Sequence, residues 1–402
     1  MNDTTLPAQD LMLFAASNEE ATRFGEMLTR LGQSPEQALP GGIAAAIAWC
    51  RSNPPAEVLV VDIEGDPLPL QSLEELAQVC DPSCHIVTLG RKQDIDLYRT
   101  LLHSGVFDYL AKPVPLDLLA TTVARARNGH SVAHGVRSGR TLAISGASGG
   151  VGTSTVAASL ALLLSEQRHT PTAMVDFDRC NGDQSLLLGF EGEAGLASAL
   201  TSTELDSRLL QRAMGRINER LHLLAQAPGL RPAQNFSVEH LLNIGGTLCS
   251  MFNQVVWDLP AGRPHGSLEV LAHAQTRILL TDLTVQDARN LHRLLREIGD
   301  ESEGQHLLLV SNAARGQHPG VIERSQFEDF VERRIDLALP WAGPSLPGSL
   351  LAGPLKLAGA PAFHNALLDL ADLATGHTPQ RAAQGSGLMA RLKQALTRQR
   401  AA

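Results

Sequence analysis

Short β-branched runs alternate with longer Leu- and Ala-rich segments along almost the whole chain. The alternation breaks once, at NGHSVAHGVRSG (Asn128–Gly139). Such a chain folds into parallel sheets with helices on their faces, because each return between parallel strands crosses the sheet in a helix. Before the break the pattern predicts strands at Leu11–Phe14, Val58–Val61, His85–Leu89 and Asp108–Leu110. Helices are expected near Glu19–Leu31, Gly42–Arg51, Leu73–Cys80, Ile95–Ser104 and Leu116–Arg127. After it, strands are expected at Thr141–Ser145, Thr172–Val175, Leu221–Leu224, Gln254–Trp257, Arg277–Thr281 and His306–Val310. Helices should run from about Ser154 to Glu166, over Val238–Phe252 and over Val285–Ile298. The break itself is rich in Gly, Ser and His without periodicity, which marks a domain boundary.

At 402 residues the chain is too long for one ordinary core. The expectation is an α/β domain at 1–128, a linker at 129–139, a second α/β domain at 140–379, and a polar linker and tail at 380–402. A content of 44% hydrophobic and 19% charged residues is globular, and with only 4% aromatics the cores rest on Leu, Ala, Val and Ile. The net charge of -9 excludes a general nucleic-acid coat, and no nucleic-acid partner is expected. Cys50, Cys80, Cys84, Cys180 and Cys249 are scattered. Cys80 and Cys84 lack a second Cys/His pair at ligand spacing, so reduced thiols are the expected reading. No basic segment followed by an apolar run opens the chain, and no stretch approaches the roughly 18 apolar residues of a membrane span. The expectation is a cytoplasmic protein whose membrane contacts are peripheral or made through partners.

The segment SGASGGVGTSTV (Ser145–Val156) follows an apolar strand and precedes an Ala/Leu-rich helix. Glycines there let the backbone curl where a Cβ would clash, and the helix N-terminus offers N–H groups to an anion. The alternative is a tight corner without a ligand. GGVGTST resembles the GGVGKTT core of the MinD/ParA family of deviant Walker ATPases. The resemblance implies ATP as ligand, bound through Gly149, Gly150, Val151, Gly152, Thr153, Ser154 and Thr155, with Mg²⁺ on the Ser154 hydroxyl. The family carries one lysine before the glycines and one after them; this sequence has Ser148 and Thr153 there, and Ala147 replaces a further glycine. Binding would then rest on backbone amides, Mg²⁺ and the helix dipole, the last worth about 0.3–1 kcal/mol per exposed interaction. Without the lysines, transition-state stabilisation falls and hydrolysis is expected to be slow or absent.

Two acidic strand ends extend the resemblance. In TAMVDFDRCNGD (Thr172–Asp183), Asp178 matches the family carboxylate near the attacking water, and Asp183 an acid in the next segment. Both could instead cap a helix or turn. In QVVWDLPAG (Gln254–Gly262), Asp258 resembles the Walker B aspartate that serves Mg²⁺; a buried strand-end carboxylate without a cation is costly. Asn312 in LLLVSNAAR matches an adenine-reading Asn, or else starts a turn.

The run DFDRCNGDQSLLLGF (Asp176–Phe190) resembles the TadZ/CpaE group of pilus-assembly proteins, which also place a receiver-like domain first and vary the Walker lysine. That order implies a flavodoxin-like receiver-type domain followed by a P-loop NTPase domain with a mostly parallel sheet. In the first domain, VLVVD puts Asp62 at the phospho-acceptor position, Thr88 fits the switch hydroxyl, and GVFDYLAKP supplies Lys112. The metal-binding acidic pair is replaced by Ala15, Ala16 and Ser17, while Glu19 and Glu20 fall in the next helix and are expected to face solvent. The expectation is a pseudo-receiver. The tail GLMARLKQALTRQRAA (Gly387–Ala402) is a basic amphipathic segment that suits weak peripheral membrane contact or a partner. The resemblance as a whole implies a homodimer, placed as a focus at a cell pole or associated with the membrane through partners. Those partners are pilus or secretion machinery proteins or a polar landmark, with septum-site or flagellar placement and a nucleotide-free hub as alternatives.

Overall fold

The computed structural model describes residues 10–54, 56–91, 95–127, 138–192, 195–202, 205–229, 236–302, 304–316, 320–377 and 379. The tail and residues 128–137 of the boundary segment lie outside the described residues. The chain divides into two compact units. One comprises Met1–Gly139 with Arg168–Pro171 and Cys249–Asn253; the other comprises Arg140–Gln167, Thr172–Leu248 and Gln254–Ala402.

The first unit holds strands β1 (Leu11–Ala15), β2 (Ala38–Pro40), β3 (Val58–Asp62), β4 (His85–Gly90) and β5 (Asp108–Ala111). They form one parallel sheet in the order β2-β1-β3-β4-β5, the doubly wound arrangement with a switch point beside β1. Alternate residues go to opposite faces, and both faces are buried. Leu11, Leu13, Val58 and Val60 pack with helices Asn18–Arg30 and Leu116–Arg127. Met12, Phe14, Leu59 and Val61 pack with helices Gly42–Ser52 and Pro69–Val79. The latter helix starts at a proline four residues before the expected Leu73, since proline suits a first turn whose N–H is unpaired anyway.

The second unit holds β6 (Arg140–Gly146), β7 (Thr172–Asp176), β8 (Gly215–Arg216), β9 (Leu221–Leu224), β10 (Gln254–Leu259), β11 (Thr276–Thr281), β12 (His306–Asn312) and β13 (Leu337–Leu339). Their order is β13-β12-β11-β6-β10-β7-β9-β8, parallel except for β8 against β9. Leu142, Ile144, Met174, Val256, Ile278 and Val310 line one face, under helices Thr153–Glu166 and Pro361–Ala374. β6 lies between β10 and β11, so its carboxyl end, where the Gly-rich loop begins, is flanked by two further strand ends.

Among the described residues, no helix is long and apolar enough to cross a membrane.

Candidate nucleotide site

The loop after β6 is shaped by its glycines. A Cβ on Gly146 would stand 2.6 Å from Val151 Cγ2 and 2.8 Å from the Ser148 carbonyl oxygen, so the chain folds back on itself there only without a side chain. Gly150 and Gly152 have φ of 80° and 86°, a left-handed backbone that side chains disfavour. Val151 is fully buried and pins the loop to the core. Helix Thr153–Glu166 then starts with Gly152 at its N-cap and no side-chain cap, which leaves first-turn N–H groups for an anion. Space is open around Gly149, where a Cβ would meet nothing within 4 Å.

Side chains from other loops hold this one. Asn312, buried at the end of β12, donates from Nδ2 to the Val151 carbonyl at 2.8 Å. Asn290 donates to the Ser148 hydroxyl at 3.0 Å. Arg263 donates to the Gly146 carbonyl at 2.8 Å, and Arg315 to the Gly149 carbonyl at 2.9 Å. Beside the loop, the ends of β11, β12 and β13 open a cleft of about 460 Å³ lined by Leu283, Asn312, Ala313, Val321 and Leu339.

The carboxylates arrive by register. β7 and β10 are adjacent and parallel, and Asp258 is paired with Asp176 across them. Both are buried, at 1% and 3% exposure. Gln184 ties them together: its backbone N–H donates to Asp176 Oδ2 at 3.0 Å and its side-chain amide to Asp258 Oδ2 at 2.8 Å. The Ser154 hydroxyl also bonds Asp258, so the two expected Mg²⁺ residues meet. Burial, reinforced by the neighbouring Asp258 charge, pushes the Asp176 carboxyl up to about 7. Burial pushes Asp258 up to about 6 against the bonds from Gln184 and Ser154, with Asp178 and Asp183 adding repulsion. Two buried acids this reluctant to ionise fit a site that receives a cation, because a divalent ion would restore their charged forms.

Asp178 has a local role in this structure. Its Oδ1 accepts from the backbone N–H groups of Cys180 and Asn181 at 3.1 and 2.9 Å, closing the turn after β7. Asp183 stands at the N-cap of helix Gln184–Leu188 without a capping bond. Thr153 opens the long helix, and its hydroxyl faces Gly146, 2.7 Å from where a Cβ there would stand.

No protein-family model matches the chain. A solved ParA family ATPase from Chlorobium tepidum TLS superposes on 58% of this chain and 98% of its own, with a TM-score of 0.53 and 23% identity. The chain carries the MinD/ParA ATPase fold. The septum site-determining protein MinD of Escherichia coli K12 is 28% identical over 207 residues, covering 48% of this chain and 74% of that protein. The pilus assembly protein CpaE from Caulobacter crescentus CB15 is 29% identical over 28% of this chain and 95% of its own, with a TM-score of 0.26, too low to support a closer assignment.

The first unit has its own charged cluster. Asp62, buried at the end of β3, accepts from the backbone N–H groups of Ala16 at 3.2 Å and Glu64 at 3.0 Å. The Lys112 ammonium pairs with Asp62, with Glu20 at 3.0 Å and with Glu64 at 2.7 Å. Burial works against the charge on Lys112, yet its bonds to Asp62, Glu64 and Glu20 hold its pKa above the ordinary lysine range. The expectation that both helix acids face solvent is corrected for Glu20: Glu19 is exposed, but Glu20, one residue further round the helix, turns to Lys112. Glu20, Asp62 and Glu64 bring their oxygens within 4.8 Å of one another, a spacing suited to a metal ion, and here the ammonium serves all three. The Thr88 hydroxyl, buried on β4, lies 3.4 Å from the Asp108 carbonyl.

Proposed function

We propose that this chain is a nucleotide-regulated assembly and localisation factor of a Tad-type pilus machinery, an apparatus of the type IV pilus and type II secretion kind. ATP acts as its dimerisation ligand, with hydrolysis weak or absent. The observation that carries the nucleotide part is the meeting of an uncapped, glycine-built helix N-terminus with Ser154 and Asp258. In this reading the amides of Gly149–Thr155 cradle the phosphates, and the cleft beside Asn312 takes the base. Ser154 and Asp258 hold Mg²⁺, which neutralises phosphate charge. Asp258 orients through Gln184 and Ser154, and Asp178 shapes the turn that covers the phosphate end. Among the loop residues no lysine is placed to stabilise a departing phosphate, which is why the ligand serves as a switch.

The pilus part is supported by the run Asp176–Phe190, by the order of the two units and by the lysine-free loop. In this reading the first unit is a pseudo-receiver that binds partners, and the dimer shows them a surface that places it as a focus. The 28% identity to a septum site-determining MinD favours a second reading, a placement regulator of the division or flagellar kind. Calorimetric titration of the purified chain with Mg-ATP and Mg-ADP, beside its oligomeric mass, tests the switch: Mg-ATP should bind and promote a dimer. No binding at millimolar Mg-ATP would leave a structural hub. Deleting the gene separates the two biological readings, since loss of pili with normal division supports the first and misplaced septa the second.

A further inference from the structure

We propose that Arg263 and Arg315, on loops outside the phosphate loop, bind the nucleotide's phosphates and supply the charge missing at Ser148 and Thr153; the inference rests on the nucleotide reading above. From Ser145 to Glu166 the chain contains no lysine or arginine, so the loop and its helix bring no side-chain cation of their own. Two guanidinium groups nevertheless lie against it, at different points and from different strands.

Arg263 follows β10, five residues beyond Asp258, and has a φ of 46°. A non-glycine residue is strained in that region and stays there when its surroundings hold it. Its Nη1 donates to the Ala261 carbonyl and its Nη2 to the Gly146 carbonyl, both at 2.8 Å, so the group is anchored at the last residue of β6, where the loop begins. Its buried Nε has no hydrogen-bond partner, and among the described residues no carboxylate pairs with it. Burial alone pulls its pKa down from the ordinary arginine range. A partly buried guanidinium with unspent donors and no counter-charge fits an anion partner, because an unpaired buried charge is costly.

Arg315 comes three residues after Asn312. Its Nη2 donates to the Gly149 carbonyl and lies 2.9 Å from where a Cβ on Gly150 would stand, so the group crosses the middle of the loop. Its side chain is 48% exposed and its approach to Asp282 is long, at 4.0 Å. The loop positions that carry lysine in the resembling family, Ser148 and Thr153, lie near the stretch that these two groups touch. An arginine has five N–H donors, so each can keep its loop carbonyl and still present a planar pair to phosphate oxygens.

The test measures binding by the full chain and its Arg263→Gln, Arg263→Lys and Arg315→Gln variants, with Mg-ATP, Mg-ADP and AMP competing against a fluorescent ATP analogue. Thermal unfolding of each protein without nucleotide is the companion readout. Each glutamine variant should lose about tenfold in Mg-ATP affinity, the size of one charge-assisted hydrogen bond, while AMP binding changes by less than about twofold. Arg263→Lys should fall between wild type and Arg263→Gln. A purely structural role predicts equal losses for ATP and AMP with a lower melting temperature, and that result overturns the proposal. Undiminished Mg-ATP affinity in both glutamine variants also overturns it, while leaving the nucleotide reading standing. Failure of the wild-type chain to bind Mg-ATP removes the nucleotide reading itself. If Arg263→Gln does not fold, Arg315→Gln, changed at a half-exposed side chain, carries the comparison.

Discussion

Gln184 reaches Asp258 with its side-chain amide at 2.8 Å while its own backbone N–H is taken by Asp176. One residue thereby satisfies both buried acids at the ends of β7 and β10. Gln184→Ala would leave an oxygen of Asp258 without its amide donor in a fully buried place. Leaving a buried polar group unsatisfied costs about 1–3 kcal/mol. Denaturant unfolding should show a loss of that size in nucleotide-free protein, and saturating Mg-ATP should recover part of it by mass action. A variant as stable as wild type would mean that Asp258 is protonated, or otherwise satisfied, without Gln184.

Lys112 is the centre of the other charged cluster, with Asp62, Glu20 and Glu64 around an ammonium that is only 7% exposed. Lys112→Met removes the buried cation and leaves Asp62 facing Glu20 and Glu64, whose remaining cation is the exposed Arg91, at 3.6 and 3.2 Å. Breaking such a buried pair costs about 3–5 kcal/mol, and a divalent ion should restore some of it, because the same oxygens then have a cation again. In wild-type protein Ala15 and Ala16 stand where the metal-binding acids are expected, so small phosphodonors with Mg²⁺ should yield no phosphoaspartate on Asp62. Mass spectrometry detecting a Mg²⁺-dependent phosphate on Asp62 would remove the pseudo-receiver reading.

The parts of this molecule that were legible in the sequence are those where one periodicity runs long enough to dominate. Helix Val285–Ile298 has the predicted limits, and β9 matches as well. The three-residue strands Ala38–Pro40 and Leu337–Leu339 and the two-residue Gly215–Arg216 are too short for an alternation to show, and neighbouring strands define them. That Ser154 and Asp258 come together was legible because each sits in a motif with a fixed place relative to a strand. Gln184 was not, since an amide in a helical run carries no signal until β7 and β10 are paired. Arg263 and Arg315 reach the loop only through the order of β6, β10, β11 and β12. Glu20 was not legible because one helical position separates it from the exposed Glu19, and its partners Lys112, 92 residues away, and Arg91 are distant in sequence.

His222 makes a prediction about pH. It lies half-buried on β9, opposite Arg216 of β8, and burial, aided by that arginine, lowers its pKa from the ordinary value. The unfolded chain takes up the proton at about pH 6.5, and the folded chain only at lower pH. Between those values the unfolded state binds more protons, so this contribution to stability is complete above about pH 6.5 and shrinks as the pH falls. Thermal unfolding from pH 7.5 to 5 should therefore show a component of the acid-side loss that is absent in His222→Gln. Parallel pH profiles for the two proteins would show that His222 titrates alike in both states.

Thr153 occupies the first helical position after Gly152, with its hydroxyl turned toward Gly146, where the resembling family has its phosphate lysine. Thr153→Lys puts a cation on the phosphate loop itself, beside the N–H groups of the first turn. If Arg315 serves the same charge from outside, the two cations are partly redundant and their effects do not add. Thr153→Lys should raise Mg-ATP affinity by about tenfold in an Arg315→Gln background, one charge-assisted hydrogen bond, and by less in the wild-type background. Hydrolysis should stay slow in both, because Ser148 still stands where the family's other lysine would be. The measurement is a four-protein cycle of Mg-ATP affinities, read with single-turnover hydrolysis. Equal gains in the two backgrounds would mean that residue 153 and Arg315 act on different groups. Weaker binding by a folded Thr153→Lys protein would mean that residue 153 does not face the phosphates.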